Sequence, residues 1–291
     1  MDYKPGHVCC LANVMRKSNL LVLATILMSA SPLPADPLTE AHVTKIIRDV
    51  HVTDPAKGTH AAAIDERITE EIGLKTGVKS RSELLFQDNT LTRIGPETSF
   101  SFKAGTRDLT LRQGTMLIQV PKGLGGAKIR TAAVTAAITG TTIMVQYTPA
   151  KHIKVLVLEG SLRLSVNNTL GNSVLLHPGR MVTMRPDAKR IPDPVTVDLR
   201  QVMRTSSLVK MAKKGESDLP SAGLIDKEIA HQDHERETGR LIATNFVSSG
   251  FGPEGGFGPE QILDRVDQRT LVPTPPPAKP PVKPTFSTRP R

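Results

Sequence analysis

The chain has 291 residues, 38% hydrophobic and 23% charged, with a formal net charge of +10; that apolar share supplies one or two true cores and excludes wholesale disorder. Aromatic residues make up only 3%, with no Trp, two Tyr and seven Phe, which leaves little from which to build base-stacking platforms or aromatic sugar cradles. The two cysteines, Cys9 and Cys10, are adjacent and precede the segment read below as mature, which excludes a disulfide scaffold and thiolate metal sites.

Arg16 and Lys17 stand before an apolar run from Leu20 to Met28, and small residues and prolines follow up to Ala35. A basic flank, a short apolar run and a small-residue end read as a secretory signal peptide over residues 1–35. Cleavage is expected after Ala35, with Ala30 and Ser31 as alternatives, and Met15 offers a second start. The run is shorter than the ~20 residues a spanning helix needs, and no other stretch approaches it. The expected product is exported, periplasmic or associated with the cell envelope, and does not span a membrane. Residues 1–35 carry Lys4, Arg16, Lys17 and Asp2; without them the charge is +8, of which Lys279, Lys283, Arg289 and Arg291 supply +4. The rest is spread through the body. With export, this makes nucleic acid an unexpected partner and an anionic envelope polymer or membrane surface a better match.

From Gly73 to about Arg185 the sequence runs in short apolar-polar alternations, as in Ser99-Phe-Ser-Phe102, Leu109-Thr-Leu111 and Leu162-Arg-Leu-Ser-Val166. Period two with Val, Ile, Leu and Thr predicts strands. Glycines recur at Gly77, Gly95, Gly114, Gly140, Gly160 and Gly179, and each reads as a turn between a strand and a returning strand. Such two-strand units cannot bury their apolar side alone, so they are expected to stack as a roll, solenoid or sandwich. The widest glycine interval holds a loop, Pro121 to Ala127, and the strongest strand pair, Val134 to Tyr147.

These residues carry a resemblance. Leu74-Lys-Thr-Gly-Val-Lys-Ser-Arg-Ser-Glu-Leu84, Asp88-Asn-Thr-Leu-Thr-Arg-Ile-Gly-Pro-Glu-Thr98, Leu111 to Leu117, Thr131 to Thr142 and Val155 to Leu164 resemble, in order, the signature of the FecR-like domain. With Val43 to Val52 as a lead strand, the resemblance covers roughly residues 41 to 186. It implies an all-β fold and kinship with periplasmic sensors that receive a signal from an outer-membrane transporter and pass it to a cytoplasmic anti-sigma segment. Here a signal peptide stands in place of that segment and its membrane span, so what carries over is the exported β module. Asn89 replaces the usual glycine of the Asp-Gly-Thr turn, a mild change because Asn also tolerates positive φ.

Asp88, Glu97, Asp108 and Glu159 are expected as solvated turn or strand-end acids rather than a catalytic pair. Asp88 should accept hydrogen bonds from its own turn, and Arg81 and Arg93 should pair with Glu83, Glu97 or Asp108 on the surface. His42, His51, His60, His152 and His177 are too far apart in sequence for a ligand set. His231 and His234 share a helix face without a third ligand. No nucleophile elbow or phosphate loop is present, so no enzymatic activity, cofactor or metal is expected.

After a linker at Ile191-Pro-Asp-Pro194, Asp198 to Lys214 and Ala222 to Ile242 read as helices, expected to pack on the β body. Gly250-Phe-Gly-Pro-Glu254 recurs as Gly256-Phe-Gly-Pro-Glu260, and residues 273–291 hold eight prolines, a composition for extended, coreless chain. The organisation read is therefore signal peptide 1–35, an all-β FecR-like domain 36–190, a helical extension 191–246 and a disordered Gly/Pro-rich tail 247–291. The functional expectation is a binding module for an envelope protein or polysaccharide, with envelope sensing as a use; the alternative is a structural envelope protein held by its basic tail. The partner contact is placed on the loop and adjoining strand, at Lys122, Gly123, Gly125, Gly126, Lys128 and Arg130. Oligomeric state is not legible.

Overall fold

Strands with apolar residues at alternate positions need a second layer for their apolar side, and here two sheets supply it for each other. The computed structural model describes residues 36–69, 72–167, 169–211, 218–241 and 246–247; the signal-peptide reading, the Gly-Phe-Gly-Pro-Glu repeat and the proline-rich tail lie outside the described residues.

The chain alternates between the sheets, called here covered and open. β1 (Ala41–Ile47) lies in the covered sheet, β2 (Val50–Asp54) and β3 (Gly58–Ala61) form a hairpin in the open one, β4 (Arg67–Ile68) returns and β5 (Gly73–Thr76) crosses back. β6 (Arg81–Phe86) and β7 (Leu91–Ile94) are a covered-sheet hairpin, followed by β8 (Ser99–Lys103) in the open sheet. β9 (Asp108–Gln119) belongs to both: its first half pairs with β8, its second with β7. Then come hairpins β10 (Gly126–Arg130) with β11 (Val134–Thr139) in the open sheet, β12 (Thr142–Thr148) with β13 (His152–Glu159) in the covered sheet, and β14 (Leu162–Val166) with β15 (Ser173–Leu176) in the open one. β16 (Arg180–Met184), β17 (Val195–Val197) and β18 (Phe246–Val247) complete the covered sheet.

The main core lies between the sheets, with Leu74, Phe100, Leu109, Ile129, Ile138 and Leu164 from the open sheet meeting Val43, Leu84, Ile118, Val145 and Val155 from the covered one. Open-sheet strands alternate buried and exposed residues, whereas β7, β12, β13 and β16 are buried at most positions. The second buried side arises because the covered sheet's outer face is roofed. α1 (Leu199–Thr205), capped by Asp198 accepting from the Gln201 N–H at 3.0 Å, the turn that follows it and α2 (Ala222–Glu237) bring Val202, Leu208, Ile225 and Ile229 onto Leu117, Met144, Leu156, Leu158 and Met181. The extension from 199 to 241 therefore shares a core with the β domain.

Three expectations need correction. The lead segment from Val43 to Val52 is two strands rather than one, broken at Arg48, whose φ is 63°. Gly114 does not turn the chain back: it sits inside the twelve-residue β9 at φ +95°, where the strand bends from the open to the covered sheet. A Cβ there would overlap the Thr98 backbone, so only glycine permits the bend. The other periodic glycines also stand between strands of different sheets, at crossings rather than within hairpins.

Candidate interaction surface

The two outer faces of the sandwich differ in kind. On the covered sheet, Arg93 is fully buried; its Nε donates to Glu83 Oε2 at 2.7 Å, its Nη1 to the Leu208 and Val209 carbonyls at 2.9 and 3.0 Å, and its Nη2 to Asp218 Oδ1 at 2.6 Å. Lys45 bridges Glu83 and Asp218. Burial raises the Asp218 pKa, but hydrogen bonds and charges from Lys45 and Arg93 outweigh it, and the net shift is downward. This corrects the expectation of a weak surface pair, since the Arg93–Glu83 bridge lies beneath the extension and ties it down.

At another point on this face, Gln232 of α2 accepts from the Leu199 N–H at 3.1 Å and donates to the Val197 carbonyl at 3.0 Å, lying where a side chain at Gly179 would stand. Thr142 Oγ1 donates to Ser221 Oγ at 2.9 Å.

Among the described residues no segment roofs the open sheet's outer face. Cross-strand register lines up Ser101, Thr110, Arg130, Thr135, Ser165 and Ser173 on six successive strands, and the row continues through Gly73 to Thr53. One flanking row holds Lys103, Asp108, Lys128 and Arg163. The other holds His51 and Lys75, with Arg112 in the bulge of β9. Six cations, Lys75, Lys103, Arg112, Lys128, Arg130 and Arg163, are exposed against one acid, Asp108, which takes the Arg130 guanidinium at 2.9 Å. A shallow depression lies over Gly73, walled by Lys75, Ser101, Lys103 and Thr110.

The six residues expected as a partner contact divide between two places. Lys128 and Arg130 point outward from the open sheet. Lys122 leans the other way, its Nζ 2.7 Å from Glu159 Oε1. That hydrogen bond, and then the Glu159 charge, raise the Lys122 pKa, while burial beside Glu159 raises that of Glu228 on α2. Gly123 and Gly125 have φ +83° and +82° in the turn, and Gly126 begins β10, where a Cβ would come 2.8 Å from the Ile138 carbonyl oxygen. β10 is paired on both sides, with β9 and β11, so it offers a face rather than an edge. Sequence reasoning missed Lys75, Lys103, Arg112 and Arg163. Their outward parity was readable from the alternation, but the register joining them was not.

Of the acids weighed for chemistry, Asp88 accepts from the Thr90 N–H at 2.9 Å and pairs with Arg107 at 2.6 Å, Asp108 pairs with Arg130, and Glu159 pairs with Lys122. Glu159 is buried, contrary to the expectation that it is solvated. Asn89 takes the left-handed conformation, φ 62°. Among the described residues no three His, Cys, Asp or Glu side chains converge on a point where a metal ion could sit.

The fold and its faces thus define a two-sheet all-β module with one outer face roofed by its own chain and the other polar, basic and open. Residues 73–163 match the family model described as FecR protein, so the chain carries a FecR-like domain over that span. Two solved structures of a candidate anti-sigma factor from Parabacteroides distasonis ATCC 8503 are similar at low identity. The one at 2.50 Å resolution is 13% identical with a TM-score of 0.39, covering 45% of this chain and 62% of that one. The one at 1.65 Å is 12% identical with a TM-score of 0.41, covering 68% and 91%. No curated protein matches the chain.

Proposed function

We propose that the protein is an exported, non-catalytic module that binds another component of the cell envelope, in the service of envelope sensing. The observation that carries this reading is the asymmetry of the two outer faces: the apolar one is consumed by α1 and α2, and the polar one presents six exposed cations against one acid. The FecR-like domain supports the envelope setting. Among the described residues no helix is long and apolar enough to cross a membrane. The test is capture from envelope extracts by the full chain, by a Lys128→Glu/Arg163→Glu variant and by a chain lacking residues 273–291. Loss of capture in the first variant supports the reading; loss only on tail removal favours a structural protein held by its tail.

A second reading rests on β15, which among the described residues pairs on one side only, with β14, carries the exposed Leu175 and follows the exposed Leu170. Such an edge accepts a strand from a protein partner. Retention of a partner by Lys128→Glu/Arg163→Glu and its loss in Leu175→Lys would favour this reading.

A further inference from the structure

Resting on the reading above, we infer that the occupant of the open face is a linear acidic polysaccharide laid across the strands, along the row from Ser101 to Ser173. Three features of the face point to this chemistry. The first is the row itself. Neighbouring strands are about 4.8 Å apart, so five hydroxyls and Arg130 form a track of regularly spaced hydrogen-bonding groups roughly 24 Å long, with small side chains that let an extended polymer lie flat. Some of these groups already share hydrogen bonds: Thr135 Oγ1 donates to Asn167 Oδ1 at 2.7 Å, and Arg163 Nη1 donates to Ser173 Oγ at 3.3 Å. Polar contacts of this geometry suit sugar hydroxyls, which both donate and accept.

The second feature is charge. Lys103, Lys128 and Arg163 run beside the row on one flank, and Lys75 and Arg112 on the other. A polymer bearing one acidic group per repeat meets a cation on either side of its path, and among the described residues of the three rows Asp108 is the one carboxylate set against these cations. The depression over Gly73 continues the track beyond Ser101, and a Cβ there would make ordinary contacts with the Phe100 carbonyl oxygen at 3.6 Å and Thr53 Cβ at 4.0 Å.

The third feature is what the face omits. Among the described residues Phe86, Phe100 and Phe102 are buried in the core, so no phenyl ring stands along the row for a nucleic-acid base to stack on. It also lacks the central apolar anchor from which a protein interface draws most of its energy.

The experiment titrates the full chain with fluorescent polygalacturonate, with neutral dextran and with oligo-dT, at low and physiological salt. Polygalacturonate should bind, dextran should not, and oligo-dT should bind more weakly. Lys103→Glu/Lys128→Glu should weaken polygalacturonate about tenfold or more. Ser101→Val/Thr110→Val, which leaves charge untouched and suits a strand, should weaken it about fivefold. Gly73→Leu should fill the depression and weaken binding with unchanged thermal stability. Lys227→Glu/Arg240→Glu, the same charge change placed in the extension, should bind as the parent does. Equal loss in this control, wild-type binding by the valine pair, or tighter binding of oligo-dT would overturn the inference. Envelope capture run beside it separates the two claims. Capture lost in Lys103→Glu/Lys128→Glu without polygalacturonate binding sinks the polysaccharide alone, and capture retained by that variant sinks the binding face itself.

Discussion

Arg93 Nε donates to Glu83 Oε2 at 2.7 Å with none of the Arg93 side chain exposed, and the same guanidinium reaches Asp218, 125 residues further along the chain. A charge so buried is held by its partners, and removing one strands the others. Arg93→Ala is therefore expected to destabilise by about 3–5 kcal/mol, read as a lowered urea midpoint. Asp218→Asn should cost less, and it should loosen the extension first, seen as faster proteolysis after residue 199 at unchanged β circular dichroism. The Asp218 carboxyl lies below its ordinary pKa in the folded state. Its contribution is thus present above the ordinary carboxylate range and is lost as pH falls through the depressed value.

Gly114 and Gly179 should tolerate no side chain. At Gly114 the φ of +95° combines with overlap on Thr98, and at Gly179 the φ of +72° combines with overlap on Gln232 of α2. Gly114→Ala is expected to lower stability by roughly 1–3 kcal/mol from the backbone alone, with the clash added. Gly179→Ala should additionally shift α2, so Gln232→Ala in the same chain should recover part of the loss. Denaturant titration of the single and double variants checks the coupling.

The glycine spacing was legible and its meaning was not. Regular intervals from Gly77 to Gly179 announced a repeating two-strand plan, and the all-β class followed from period two. A strand that turns back and a strand that crosses to a second sheet have the same local sequence, apolar alternation around a glycine, so Gly114 read as a hairpin. The buried runs of β12 and β13 signalled strands covered on both sides, yet nothing local said that Leu208 and Ile229 would do the covering. For the candidate face, Lys128 and Arg130 were found because they adjoin a conspicuous loop. Lys103 and Arg163 were missed because they share a row only through a relay of pairings, Lys103 to Asp108 to Lys128 to Ala137 to Arg163, that no local sequence pattern reveals.

Stability should show two separate pH limbs with different owners. Burial, aided by the charges of Lys154 and Lys151, lowers the His152 pKa from 6.5 to about 4, and burial lowers that of Lys154 from 10.5 to about 8. The unfolded chain then binds more protons than the folded one between pH 4 and 6.5 and again between pH 8 and 10.5, so stability rises with pH in both windows. The His152 contribution is present above pH 6.5 and lost as pH falls through 4. The Lys154 ammonium is buried at a cost below pH 8, relieved on raising the pH towards 10.5. His152→Gln should flatten the acid limb and leave the alkaline one intact, whereas Lys154→Met should flatten the alkaline limb and, by removing a charge that helps depress the His152 pKa, narrow the acid one, in urea midpoints measured from pH 4 to 10.

The β domain alone should prove an incomplete unit. Cutting at residue 190, where the sequence places the end of the FecR-like domain, removes β17, α1 and α2 and with them the groups that cover Leu117, Met144, Leu156, Leu158 and Met181. Those five side chains form a contiguous apolar patch on β9, β12, β13 and β16, and exposed patches of that kind drive association. The fragment also loses the partners of Arg93 at Leu208, Val209 and Asp218, which leaves a formerly buried guanidinium facing an apolar surface with Glu83 as its remaining anchor. A chain of residues 36–190 should still give a β-dominated circular dichroism spectrum, because the core between the sheets is intact, but it should bind a hydrophobic dye and elute as aggregates. A chain of residues 36–247 should be monodisperse and dye-free. If the shorter fragment proves as soluble and as stable to urea as the longer one, the roof contributes nothing to the fold, and the lock at Arg93 has another purpose.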